Sequence, residues 1–309
     1  MGWYCSGILS MQFSPLRMTG FVVLASLATT SLIAAQPDAA SSQESPNYDF
    51  SSGYAPYEHF YVGVDGRPIV TTGIYAGLPN PNYNRLTFLF SHVEEIPADN
   101  HFHGIGAYSY SGTADSPVVS STSANNRIPE PYALLPPLSL TPGTGVFAGR
   151  QVTQPGENEY SNLLMTSVAS LLNYNDPGAQ ILHDSSAGRW NGALANASVA
   201  LEVVSLTPGL KIANEAGQTL LSQVGDLFTI GQGDSLSFRP VFWTEATAKG
   251  AYSATFKLRD VSGGNNFADS GTFSIDVATV PESSTLLGLG VFGLLAGVVK
   301  RHKAQVGHA

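Results

Sequence analysis

Between Tyr252 and Val277 the chain alternates with a period of two. Tyr252, Ala254, Phe256 and Leu258 fall on one face of an extended segment. Ser253, Thr255, Lys257 and Arg259 fall on the other. Side chains of a β-strand point to opposite faces in turn, so this pattern fits a strand with one buried and one wet face and scatters on a helix. Phe273, Ile275 and Val277 repeat it after a loop through Gly263-Gly264-Asn265-Asn266, which predicts two paired strands. An antiparallel pair with one apolar face must cover that face with another layer.

Similar signals recur along the chain. His59–Val64 and Pro68–Thr72 flank Asp65-Gly66, a hairpin turn signal. Arg85–Phe90, His101–Tyr110, Ala197–Leu206 and Asp234–Trp243 read as strands, the last with an edge or bulge at Pro240. The Ser-, Asn-, Pro- and Gly-rich stretch 111–159 reads as long surface loops. Tyr160–Asn173 is the best helix candidate, because Leu163, Leu164, Val168, Leu171 and Leu172 recur near helical spacing and Pro177-Gly178 stops the pattern. The expected fold is mainly β: a β-sandwich-like domain over 54–279 with long loops and at most one or two short helices.

The ends carry other signals. Arg17 precedes an apolar run from Phe21 that closes on the small residues Ala34-Ala35, the pattern of a secretory signal peptide over 1–35, with Met11 or Met18 as alternative starts. Residues 36–53 are polar and rich in Pro and Ser, as a disordered lead-in is. Cys5 is the single cysteine and lies in the signal segment, so cleavage leaves no disulfide and no thiolate ligand. Residues 36–280 hold ten Lys and Arg against twenty-two Asp and Glu, a formal charge of −12. An acidic surface repels phosphate backbones, which argues against a nucleic-acid partner.

At the other end Val280-Pro281-Glu282 leads into an apolar run, Leu286–Val299, followed by Lys300, Arg301 and Lys303. The run is shorter than the ~20 residues of a stable bilayer span, and the basic cluster stands where a stop signal would. This arrangement over 280–303, with 304–309 as a tail, resembles a PEP-CTERM sorting signal. Ser283 stands where that motif usually has Pro. The resemblance implies export, transient anchoring in the inner membrane and cleavage by an exosortase-type enzyme. The alternative is an ordinary C-terminal membrane anchor.

Five histidines lie within 36–280: His59, His92, His101, His103 and His183. His101 and His103 share one side of a strand. His92 shares a side with Leu86, Phe88 and Phe90, and eight residues separate it from His101, which suits a hairpin. Pairing of the two strands sets His92 across from His101, with Cβ atoms ~5 Å apart. Three imidazoles at the rim of an apolar face suit zinc, whose fourth ligand could come from His59, His183, Glu94, Glu95 or Asp99. Copper and nickel favour the same donors. The alternative is that these histidines are ordinary surface or hydrogen-bonding residues. No nucleophile elbow and no H-E-x-x-H are present in the sequence, so an enzyme is not expected. A metal-dependent hydrolase stays as a minor option.

The body is similar to a cyanobacterial PEP-CTERM family repressed by the zinc uptake regulator. The similarity lies in Tyr61–Arg67, Asn84–Phe90, His101–Gly106 and Gly233–Trp243, and it implies synthesis when zinc is scarce. The expected function is zinc binding by an exported surface or periplasmic protein. The alternative is a structural extracellular-matrix protein, associated with exopolysaccharide and without metal chemistry.

Overall fold

The computed structural model describes residues 59–280, apart from 95, 122–124, 157–158 and 265. The expected signal segment, the lead-in and the sorting segment beyond Val280, including Pro281, Glu282, Lys300, Arg301 and Lys303, lie outside the described residues. Among the described residues no helix is long and apolar enough to cross a membrane.

The chain is mainly β with few short helices. The smaller of the two main sheets contains β1 (Phe60–Val64), β2 (Leu86–His92) and β3 (His101–Gly104). An exposed ribbon, β4 (Tyr108–Thr113) and β5 (Ser116–Ser121), follows. Then come β6 (Arg127–Ile128), β7 (Leu138–Pro142), β8 (Arg150–Thr153) and β9 (Met165–Ser167), and a helix α1 (Pro177–His183) with a short turn at Ser185–Gly188. The rest is strand: β10 (Ser198–Leu206), β11 (Lys211–Ala213), β12 (Thr219–Leu221), β13 (Leu227–Gln232), β14 (Ser237–Phe238), β15 (Val241–Glu245), β16 (Ala251–Asp260) and β17 (Phe273–Thr279).

The smaller sheet has the order β14-β9-β1-β2-β3. The larger runs β12-β11-β15-β8-β7-β17-β16-β10-β13, with β6 beside β17. Its two edges, β12 and β13, are joined by one turn. There the Asp226 carboxylate accepts the backbone N–H groups of Ser222 and Gln223. The large sheet is thus nearly closed and barrel-like, a curl that strand alternation alone does not specify.

The expected β16–β17 pair forms in antiparallel register, with Phe256 opposite Phe273. Ala254, Phe256, Leu258, Phe273, Ile275 and Val277 are all buried. The small sheet lays Phe60, Val62, Leu86, Phe88 and Phe90 into the same core, and the Phe88 ring stacks on Phe273 with centroids 4.0 Å apart. Each such ring contributes ~1.5–3 kcal/mol by leaving water. The opposite face of β1 and β2 is covered too. Tyr61 and Leu89 pack with Phe102, Val168, Leu171, Leu182 and Trp190 in a second core. This double burial is why Tyr61 in β1 and Leu89 in β2 are apolar where a sheet with one wet face would be polar.

Three expectations give way. Asp65-Gly66 is not a hairpin turn, because β1 pairs with β2 and not with Pro68–Thr72. Asp65 is instead a buried carboxylate bonded by Asn80, Arg67 and Arg189. The stretch 111–159 is not all loop, since β5 to β8 run through it, and three of those four join the large sheet. The helix expected at Tyr160–Asn173 is replaced by β9, which lies between β1 and β14, followed by a 3-10 turn over Val168–Asn173. Leu163 and Met165 enter the main core while Val168 and Leu171 enter the second, so these apolar residues serve two cores and not one helical face. The α-helix begins at Pro177, the residue expected to stop the helical pattern. Asp176 caps it by accepting the Ala179 N–H at 2.9 Å, and proline suits a first helical turn because its missing N–H has no partner there anyway.

Gly63 in β1 lies tight against the second core. A Cβ there would lie 2.7 Å from the Trp190 carbonyl oxygen and 2.8 Å from Leu89 Cδ1. Gly63→Ala is expected to cost about 1–3 kcal/mol by overpacking, read as a lower urea midpoint with unchanged slope.

Candidate metal centre

Strand register positions the histidines. In the β2–β3 pair His92 stands opposite His101 and Phe90 opposite His103. Strand alternation sends Phe102 into the second core and leaves His101 and His103 on the same side as Phe90 and His92. The imidazole centroids of His92 and His103 are 4.3 Å apart, and those of His101 and His103 are 4.9 Å apart. The expected hairpin, with three rings at the rim of an apolar face, is present.

The residue that organises the cluster is Glu130. It follows β6, which runs parallel to β17 through Ile128 and Ile275, so the large sheet delivers this carboxylate to histidines carried by the small one. The Glu130 side chain is fully buried and bonds His92 Nε2 through Oε2 and His103 Nδ1 through Oε1, both at 2.7 Å. Oε1 also accepts from the Asn125 amide. Oε2 accepts the hydroxyls of Tyr132 at 3.0 Å and Tyr160 at 3.2 Å. His101 turns Nδ1 to the Asp99 carbonyl at 2.8 Å and Nε2 to His103 Nε2 at 3.1 Å.

Potential ligand atoms of His92, His103 and Glu130 all lie within 4.8 Å of one another, a set that can hold a metal ion. His101 joins through His103. The other sequence candidates take different roles. His59 is buried, stacks on Phe90 and bonds the Ser91 carbonyl at 3.3 Å. His183 closes α1 and bonds Asp184 at 2.7 Å. Neither belongs to the converging set. Glu94 is exposed, and its backbone N–H binds Asn100. Asp99 contributes its carbonyl to His101, and Glu95 lies outside the described residues.

Burial alone would push the Glu130 carboxyl up. The hydrogen bonds from His103, His92 and Asn125 outweigh it and hold the group far below the usual carboxylate range. The Tyr132 and Tyr160 hydroxyls are pushed up, first by burial and then by the Glu130 charge, so both stay protonated donors. Glu159 is also pushed up, chiefly by burial, with His92 and Tyr160 opposing. Burial lowers His59, and the His92 charge adds to that.

A carboxylate with a depressed folded pKa stabilises the fold above its unfolded value. That contribution is lost as pH falls through the folded value. Wild type and Glu130→Gln are therefore expected to differ most in stability above pH 4.5, the ordinary Glu value. The difference should narrow by ~1.4 kcal/mol for each pH unit below that. Urea unfolding of both proteins at pH 7, 4 and 3 reads it, and a constant difference would contradict the assignment.

Sequence reasoning missed Glu130, Asn125, Tyr132 and Tyr160. One signal was available for the first of these. Glu130 is the sole carboxylate between Asp115 and Glu157, and it stands between two prolines.

The chain has no match among protein-family models, curated proteins or solved structures.

Proposed function

We propose that this is an exported surface or periplasmic protein that binds zinc through its histidine cluster when zinc is limiting, and that it catalyses no reaction. The observation that carries the reading is the convergence of His92, His103 and Glu130, with His101 beside them, at the rim of a packed apolar face. Imidazole nitrogens held this way favour zinc, copper or nickel over magnesium or calcium. The tail at Val280-Pro281-Glu282, with Lys300, Arg301 and Lys303, supports sorting by an exosortase-type enzyme after transient residence in the inner membrane. The resemblance to zinc-repressed proteins supports zinc as the physiological ion.

One observation favours a second reading. Glu130 already receives five donors, so the cluster is also a complete polar network that can simply tie the two sheets together. On that reading the protein is a structural component of an exopolysaccharide matrix. Titration with zinc against a competing chelator separates the two. Saturation near one ion per chain, with calcium and magnesium inert, is the expected result. No zinc uptake, together with retention on isolated exopolysaccharide, would favour the matrix role.

A further inference from the structure

We infer that the metal is held between Nε2 of His101 and Nε2 of His103, that Glu130 anchors His103 without being a ligand, and that the remaining coordination positions are open to an exogenous donor. This rests on the metal-binding reading above and assigns its atoms.

Proton placement leads to these atoms. A carbonyl oxygen can only accept, so His101 Nδ1, bonded to the Asp99 carbonyl at 2.8 Å, carries a proton. The Glu130 oxygens already accept from the Asn125 amide and from two tyrosine hydroxyls and stand as acceptors to both imidazoles, which places a proton on His103 Nδ1 and on His92 Nε2. In their neutral forms His101 and His103 then present bare lone pairs at Nε2, and these two atoms face each other at 3.1 Å. Two facing lone pairs repel unless a cation lies between them. Metal-bound histidines commonly donate their other ring N–H to a carboxylate or a backbone carbonyl. Here one ring uses each kind of partner.

Spacing separates this pair from the neighbouring atoms. Two ligands at ~2.05 Å on a tetrahedral zinc stand roughly 3.3 Å apart. The facing nitrogens are within a few tenths of an ångström of that. The His92–Glu130 and His103–Glu130 contacts at 2.7 Å have hydrogen-bond length and would have to lengthen by more than half an ångström to share one ion. The carboxylate also has no acceptor capacity left. It offers about four lone-pair sites and receives five donors.

Only two protein ligands leave a zinc ion incomplete. His101 is half-buried and lines a groove of about 470 Å³ with Asp99, Asn100, Gln180 and Asp184. Both rings are only partly buried, which leaves an ion between them within reach of an outside nitrogen or oxygen donor, as exchange of the metal with a carrier requires. Glu130, wholly buried behind His103, holds the imidazole in place.

Cobalt(II) added to the full chain tests the assignment through its visible ligand-field bands, with free imidazole as the exogenous probe. The unaltered protein is expected to give bands that shift when imidazole is added. His101→Ala should lose the bands. Glu130→Gln, with folding checked by circular dichroism, should keep their positions while affinity drops about 10–100-fold, the usual cost of removing an outer partner. His92→Ala should keep the positions at up to about tenfold weaker affinity, giving the same reading if the Glu130 variant does not fold. Bands kept in His101→Ala but lost in His92→Ala would place the ion among His92, His103 and Glu130, overturning this assignment while metal binding stands. Bands indifferent to imidazole would overturn the open positions. No uptake of cobalt, zinc or copper by the unaltered protein would overturn both readings and leave a proton as the shared cation.

Discussion

Glu130→Ala is expected to destabilise the metal-free protein by about 3–5 kcal/mol, the cost of removing one partner from a buried charged network. The carboxylate is fully buried and is the common acceptor for His92, His103, Tyr132, Tyr160 and Asn125. Without it these donors lose a shared acceptor, and each one left unpaired away from water costs roughly 1–3 kcal/mol. The loss should stop short of the full sum, because Tyr132 is 56% exposed and can turn to solvent. Total stability of an ordinary domain is only about 5–15 kcal/mol, so this single change should bring the protein near its folding limit. Chemical denaturation at neutral pH with a chelator present reads the effect. A loss under about 1 kcal/mol would mean that the carboxylate is not the tie between the two sheets.

The second large effect is on affinity. His101→Ala/His103→Ala is expected to weaken zinc binding by at least about a hundredfold. Outer partners of a metal ligand typically account for 10–100-fold, and the ligands themselves should account for the upper end or more. Stability should fall much less, since both rings are only partly buried and sit on β3, at the edge of the small sheet. Affinity measured by chelator competition, beside the urea midpoint, separates the two quantities. Unchanged affinity in a folded double variant would remove both histidines from the site.

The histidine hairpin could be read from the sequence because its determinants are local. The alternation Leu86, Phe88, Phe90, His92 and the eight-residue spacing to His101 fix which side chains share a face and which residues pair, and the register places His92 opposite His101. Glu130 could not be reached the same way. It lies thirty-eight residues beyond His92, and β6, which positions it, is a two-residue strand with no periodicity of its own. Its partner β17 is far along the chain, so only the closed tertiary structure brings it to the histidines. Tyr160 and Met165 were misassigned for a related reason. Apolar residues in 160–173 feed two separate cores, and their combined spacing imitates a helix. His59 and His183 show the opposite limit. Residue type made them candidates, but the Ser91 carbonyl and Asp184 already engage their Nδ1 atoms away from the converging set.

The most direct test is the metal content of the protein itself. Chain purified from zinc-limited cells without chelators, then offered zinc at low micromolar concentration and desalted, should carry close to one zinc per chain by elemental mass spectrometry. The His101→Ala/His103→Ala variant treated in parallel should carry essentially none. Equal metal in both would mean that zinc binds elsewhere. No metal in either would make the cluster around Glu130 a structural network alone and contradict the proposed role in zinc binding.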